Sequence, residues 1–557
     1  MFMKNSILFF LAAGLLFQTA CKKDFLDRSI STELTEKEVF SSYARTRDFL
    51  VGTYAYLPDG FGRFNGAMLD AATDDAEFTN EGNEIQRYNT GSWNPYVNPD
   101  DNWNRSYTAI RRTNLFLENS GNVNLDNYKL NPASSSQETY RKMLDDLERW
   151  RYEARFLRAY FYFELIKRYG GVPLIKRSLE ISENLDMART PFDDCVQFIA
   201  DECDSAALHL PPKAPDVDLG RVTKGAALAL KSRVLLYWAS PLNNPSNLQD
   251  RWKKAAAAAH DVLALNAYQL ENDYKALFRS FTSKEIIFAH RYSTSNDFER
   301  ANYPIGYDGG QSGTTPTQDL VDAYEMADGS KFSWSNPVHA AAPYDNRDPR
   351  LKMTVIVNNS QWKNRVVEAW TGGRDGKGID RASRTGYYLK KYVDENLDLL
   401  QNKASVHTWI LFRLGEIYLN YAEAMNEAYG PDQDPEGYGL TAIDAINNVR
   451  KRNSVNMPQL IAGDWQKQSF REKVQNERRV EMAFEEQRYW DVRRWNLGTQ
   501  LFNGPVRGVN ITRTAPGVFQ YAPFTLESRV FLPHMNRYPI PDAEKIKSPS
   551  LVQTPGW

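Results

Sequence analysis

Six histidines are scattered along this 557-residue chain, and none falls in an H-E-x-x-H pattern, so the helical zinc-hydrolase site is missing. The serine of GGQSG (309–313) stands one position late for a nucleophile elbow. GGRDGKG (372–378) is neither a Walker loop nor G-x-G-x-x-G and reads as a turn. DQDPEG (432–437) begins like a calcium loop, but its twelfth position is Ile443 where a glutamate is needed. A glycoside hydrolase needs only two carboxylates about 5–10 Å apart, and 70 acidic residues leave that arrangement open. The expectation is a non-enzyme with no cofactor and no metal.

The residue best placed for a covalent fate is Cys21. It follows Lys4, the apolar run Ile7–Phe17 and the small residues Thr19 and Ala20. That run is too short for a permanent membrane helix, so residues 1–20 read as a cleaved signal peptide. A small residue directly before a cysteine resembles the bacterial lipoprotein signal, in which the new N-terminal cysteine is acylated. The alternative is a plain secretory signal with a chance cysteine. Lys22-Lys23-Asp24 resembles the charged export tag of surface-exposed lipoproteins in Bacteroidota-type cells. Lys+Arg number 68 and Asp+Glu 70, so no excess of positive charge favours nucleic acid. Cys195 and Cys203, eight apart on one helix, lie about 12 Å apart, beyond disulfide reach.

The remaining pattern supplies helices to position whatever site exists. Helical periodicity marks Glu36–Tyr56, Trp103–Asn119, Tyr140–Tyr169, Phe192–His209, Thr223–Ala239, Trp252–Leu265, Trp409–Tyr429, Thr441–Lys451 and Phe470–Trp495. Gly170-Gly171 stops the third of these. Ala255–Ala259 lets backbones approach closely. Stacked helical hairpins of tetratricopeptide type follow, without a strict 34-residue period. Pro58–Asp101 and Ser293–Ser405 break the pattern; their many aromatics argue against disorder. The tail Gly504–Trp557 reads as irregular and Pro-rich.

RYEARFLRAYFYFELIKRYGGVPL (151–174), TKGAALALKSRVLLYWASPLNN (223–244), MADG (326–329) and RDPRL (347–351) together resemble the SusD/RagB lipoproteins. So do RLGEIYLNYAEAMNEA (413–428), AIDAINNVRKR (442–452), ERRVEMAFEEQRYWDVRRW (477–495) and YPIPDAEKIKSPSLVQTPGW (538–557), all in family order. The arginines, carboxylates and aromatics of 477–495 read as a buried ion-pair lattice. The resemblance implies a mainly α fold, tetratricopeptide-like hairpins packed against an irregular loop-rich half. It implies one domain over 21–557, with an N-terminal part to 270 and a C-terminal part from 271. It also implies an outer-membrane lipoprotein on the extracellular face, anchored through Cys21. Such a protein captures an oligosaccharide and delivers it, as a lid, to a SusC-like TonB-dependent transporter. A peptide-binding lid is the alternative, and a secreted glycan hydrolase a further one.

Sugars offer C–H faces to aromatic rings and hydroxyls to paired polar groups. The family's binding residues cluster before the second helix, here GSWNPYVNPDDNW (91–103), and around MADG. The expected ligand contacts are therefore Asp74, Arg87, Trp93, Asn94 and Tyr96 in the first cluster, with Asp75 and Tyr88 nearby. In the second they are Tyr303, Tyr307 and Trp334, beside Asn302 and Asp308. Trp103, Trp362 and Trp370 read as packing residues.

Overall fold

A computed structural model describes residues 34–180, 182–213 and 218–557. Cys21 and the signal-like segment lie outside the described residues. The principal helices are α1 (Tyr43–Tyr54), α2 (Trp103–Asn119), α3 (Ser134–Tyr169), α4 (Phe192–His209), α5 (Lys224–Ala239), α6 (Gln249–Ala264), α7 (Leu414–Tyr429), α8 (Ala442–Arg450), α9 (Lys467–Glu481) and α10 (Gln487–Arg494). From α1 to α7 each helix packs on the next, and α8 and α9 both pack on α7. The stack therefore continues from α6 to α7 across the loop-rich stretch 265–413. Helix α5 is apolar nearly all round because it lies between α4 and α6 and also meets α7. Thr223 caps it by accepting from the Ala226 amide at 3.2 Å. On α6, Ala255, Ala256, Ala258 and Ala259 are buried, the close approach that their small side chains allow. Among the described residues, no helix is long and apolar enough to cross a membrane.

Gly170 ends α3 with φ of +78°, a conformation that costs a residue with a Cβ atom. Its neighbour Gly171 is fixed by space, since a Cβ there would sit 2.2 Å from the Thr190 carbonyl oxygen. Gly171→Ala is expected to destabilise the protein by about 1–3 kcal/mol through this overlap. A urea melt indistinguishable from that of the parent would refute the constraint.

Four expected elements are corrected. Glu36–Tyr56 is two helices, Glu36–Phe40 and α1, because Ser41-Ser42 breaks the run. The start of Trp409–Tyr429 is a strand, β4 (Ser405–Arg413), paired antiparallel with β2 (Ile286–Ser295). A short buried apolar run carries no period, and pairing with IIFAHRY decided it. Phe470–Trp495 is α9 and α10 joined at a sharp corner, where Phe484 and Glu486 both have φ of 60°. There the Phe484 amide donates to Asp70 Oδ1 at 3.1 Å, a partner remote in sequence. In the tail, Gly504–Ala515 (β5) and Val518–Arg529 (β6) form an antiparallel hairpin turning at Pro516-Gly517. Of the shorter strands, β1 (Ala76–Phe78) and β3 (Thr314–Pro316) pair with each other. Cys195 and Cys203 are buried free thiols.

The 477–495 segment does form a buried ion-pair lattice. Glu481 accepts from Arg413 at 2.8 Å, Arg452 at 2.9 Å and Arg350 at 2.9 Å. Glu477 pairs with Arg350 and Arg450, both at 2.7 Å. Burial alone raises these carboxyls. Arg452, Arg413 and Arg350 around Glu481, and Arg350, Arg450 and Lys473 around Glu477, overturn that and hold both at about 2. Their folded values lie below the ordinary 4.5, so the stabilisation is complete above that pH and is lost as pH falls from 4.5 toward 2. Urea midpoints measured across pH are expected to drop steeply in that window; a midpoint at pH ~3 equal to that at pH ~7 would contradict the lattice's role.

Candidate functional site

The two loop clusters meet because β1 pairs antiparallel with β3, in the register Glu77 to Thr315. Backbone bonds extend the junction on both sides: Thr79 donates to Gly313 at 3.0 Å and Thr317 to Asp75 at 3.0 Å. Two fully buried strands more than 200 residues apart in sequence thus hold the two loop clusters together.

The first part of the site is an open polar depression of about 530 Å³, built on the turns that follow β1 and on the short helix Gln86–Asn89. Asn65 Nδ2 donates to Glu84 Oε1 at 2.9 Å, and the hydroxyls of Thr90 and Ser92 lie 2.9 Å apart. Asn80 and Glu81 complete the rim. Arg87 is exposed in this depression, with no side-chain hydrogen bond among the described residues. Arg384 reaches it from another loop, bonding Glu77 at 2.9 Å and Glu81 at 2.8 Å. Such a rim presents carboxylate, guanidinium, amide and hydroxyl groups to water.

The second part surrounds Trp334, half-buried beside the helix Gln318–Ala323. Its Nε1 donates to Asp322 Oδ1 at 3.0 Å, which fixes the indole plane. Arg507, on β5, bonds Asp319 at 2.7 Å and Asp322 at 2.9 Å. Burial raises the Asp322 carboxyl, opposed by Gln318, Arg507 and Trp334. Phe332 supports the indole edge-on at 5.3 Å, with Arg347 over its own ring at 4.1 Å.

Several expected contact residues face inward. Trp93 is 2% exposed, packed among Tyr88, Tyr538 and Trp557 at ring separations of 5.1, 5.1 and 4.5 Å. It pins the loop to the C-terminal segment and offers no free face. Asp74 is buried under the junction, bonded by Arg488 at 2.7 Å and Arg479 at 3.0 Å. Burial raises its carboxyl, and these two arginines overturn that and hold it at about 2. Tyr303 and Tyr307 are buried on either side of Trp362, with ring separations of 4.8 and 4.6 Å. Asn94 spends its side-chain oxygen on the amides of Tyr96 and Val97, at 2.9 and 3.1 Å, closing a turn. Tyr96 is 78% exposed at that turn. Tyr88, Asp75 and Asn302 are buried, while Asp308 is exposed. As expected, Trp103 and Trp362 are core residues, and Trp370 is half-buried against Phe519.

Sequence reading missed Asn65, Asn80 and Glu81, whose only local signal is a polar, Gly-containing loop. It also missed Arg384, Arg507, Asp319 and Asp322. Nothing near these four in sequence marks them, because β1–β3 pairing and the hairpin bring them here.

A superhelix of helical hairpins, carrying a loop-built polar surface with an aromatic beside it, defines a class of binding scaffold. Two family descriptions match the chain in tandem, "Starch-binding associating with outer membrane" over residues 24–236 and "SusD family" over residues 284–557. The chain belongs to the SusD/RagB family. SusD-like protein P25 of Formosa agariphila is 21% identical over 517 residues, covering 87% of this chain and 88% of that one. A SusD-like protein of Bacteroides ovatus is 23% identical over 432 residues, 72% of this chain and 73% of its own. The crystal structure of a SusD-like protein from Bacteroides fragilis superposes with a TM-score of 0.78 at 27% identity, covering 93% of this chain and 98% of that chain. A SusD-like carbohydrate-binding protein from the same species gives 0.76 at 26% identity, with 92% and 100% covered. The mainly helical fold agrees with these neighbours, and the family is one associated with the outer membrane.

Proposed function

We propose that this protein binds a glycan, without cleaving it, at the surface formed by the 65–92 depression and the Trp334 platform. It then delivers that glycan as a lid to a SusC-like TonB-dependent transporter, tethered through an acylated Cys21 on the outer face of the outer membrane. The polar rim of the depression, with its hydroxyl, amide and guanidinium groups, carries the reading, and the oriented indole of Trp334 supplies an aromatic contact. The starch-binding description of the family and the carbohydrate-binding neighbour support a glycan over other cargo. Arginines bond the buried carboxylates Glu477 and Glu481, which suits a scaffold. Two or three contacts of about 1 kcal/mol each with a few hydrogen bonds give millimolar to micromolar affinity, suited to release. Bound cargo would shift the lid toward its closed state.

The test titrates the chain lacking Cys21 with maltooligosaccharides, laminarin oligosaccharides and peptides, following tryptophan fluorescence and assaying for cleavage. Saturable binding of an intact oligosaccharide is expected, weakened about fivefold or more by Trp334→Ala or Arg87→Ala. Cleavage products would overturn the non-catalytic reading. Binding of peptides alone would overturn the glycan.

A further inference from the structure

A second cleft lies on the helical half, away from the β1–β3 junction. It has a volume of about 500 Å³, and its walls come from the α5–α6 loop, α6, α7, α9 and the segment after α10. That size falls in the range of small-molecule sites. Asn426 on α7 lines it and is 1% exposed. Its Nδ2 is used, donating to the Lys467 carbonyl at 3.1 Å and to Glu427 at 3.2 Å, but its Oδ1 has no partner among the described residues. A buried acceptor left this way is unfavourable unless something in the cleft donates to it.

Two of the three carboxylates that line it are paired with arginine, and the third, Glu472, accepts from Gln468 at 3.2 Å. Both Glu423 oxygens are bonded by Arg494, at 2.5 and 2.7 Å, and Glu427 takes a two-pronged bond from Arg471, both arms at 2.6 Å. The buried group left unsatisfied is the Asn426 Oδ1 amide oxygen, and beside it the half-buried Gln475 and the exposed Gln500 offer amides whose side chains make no hydrogen bond among the described residues. An amide that donates at one end and accepts at the other matches a hydroxyl pair. The facing wall is apolar, made of Pro241, Leu497 and the edges of Trp252 and Trp495. Both indole N–H groups are occupied, on Asn247 at 2.9 Å and Glu423 at 2.7 Å, so only carbon edges face the cleft.

We infer that this cleft is a second saccharide subsite, taking a neutral mono- or disaccharide unit with its C–H face on the proline–leucine–indole wall and its hydroxyls on Asn426, Gln475 and Gln500. An extended peptide fits less well: it is recognised through backbone pairing at a strand edge, and this cleft is walled by helices and loops. The inference does not depend on the site at the β1–β3 junction.

The experiment labels the indole nitrogens of the thirteen tryptophans with 15N and assigns Trp252 and Trp495 by Trp→Phe variants. Maltose, laminaribiose, cellobiose and triglycine are then titrated separately to about 50 mM, above the range where weak millimolar sites fill. The Trp252 and Trp495 resonances are expected to shift saturably with at least one disaccharide. Gln475→Leu with Gln500→Ala should weaken that response about tenfold, while Arg87→Ala with Trp334→Ala should leave it unchanged. Still signals with all three disaccharides, shifts indifferent to the Gln475 and Gln500 changes, or a response to triglycine alone would each overturn the subsite. Loss of the response only in the Arg87 and Trp334 variant would also overturn it as a separate site.

Discussion

Replacing Arg413 by methionine is expected to lower unfolding free energy by about 3–5 kcal/mol, the cost of breaking a buried pair from one side. Its guanidinium bonds Glu285, Glu481 and Glu485, each at 2.8 Å, and the Glu481 carbonyl at 2.9 Å. The side chains of these residues are at most 2% exposed, so the carboxylates left behind cannot turn to water. Arg413 ends β4 where α7 begins and reaches the α9–α10 corner, so one side chain ties three parts of the fold. Arg413→Lys should rescue little, because one ammonium cannot reproduce the planar fork. Lys254→Met serves as the reference: its pair with Asp250 is 57% and 71% exposed and is worth about 0–1 kcal/mol at most. A denaturation midpoint for Arg413→Met no lower than that of Lys254→Met would sink the argument.

Trp93→Ala is expected to cost about 3–5 kcal/mol of stability, the usual loss for emptying a buried tryptophan site. The indole fills the space between Tyr88, Tyr538 and Trp557, so its removal frees the 91–103 loop from the C-terminal segment. Trp334→Ala should show the opposite profile. It is half-buried at the rim and held by one hydrogen bond to Asp322, so stability should change by about 1 kcal/mol while glycan affinity falls. Parallel urea melts and oligosaccharide titrations separate the two. A stable Trp93→Ala protein that no longer binds glycan would return Trp93 to the binding surface and contradict its burial.

Much of the scaffold was legible in the chain. Helical periodicity, the Gly170-Gly171 stop and the alanine-rich face of α6 are local signals, and each specified its element. The ion-pair lattice was legible too, because RRVEMAFEEQRYWDVRRW alternates charge and aromatic residues at helical spacing that no solvated face requires. The loops that carry the site were identified as regions by their composition. Tertiary structure alone decided which of their aromatics face outward. Trp93, Tyr303 and Tyr307 look as suited to a sugar as Trp334 does, and an indole or phenol is equally at home in a core or on a platform. Trp557 and Tyr538 cover the first, Trp362 the other two. The same holds for the α9–α10 corner, for the strand hidden in HTWILF, and for Arg384 and Arg507. Each depends on a partner far away in sequence, and no local pattern records where a distant partner will stand.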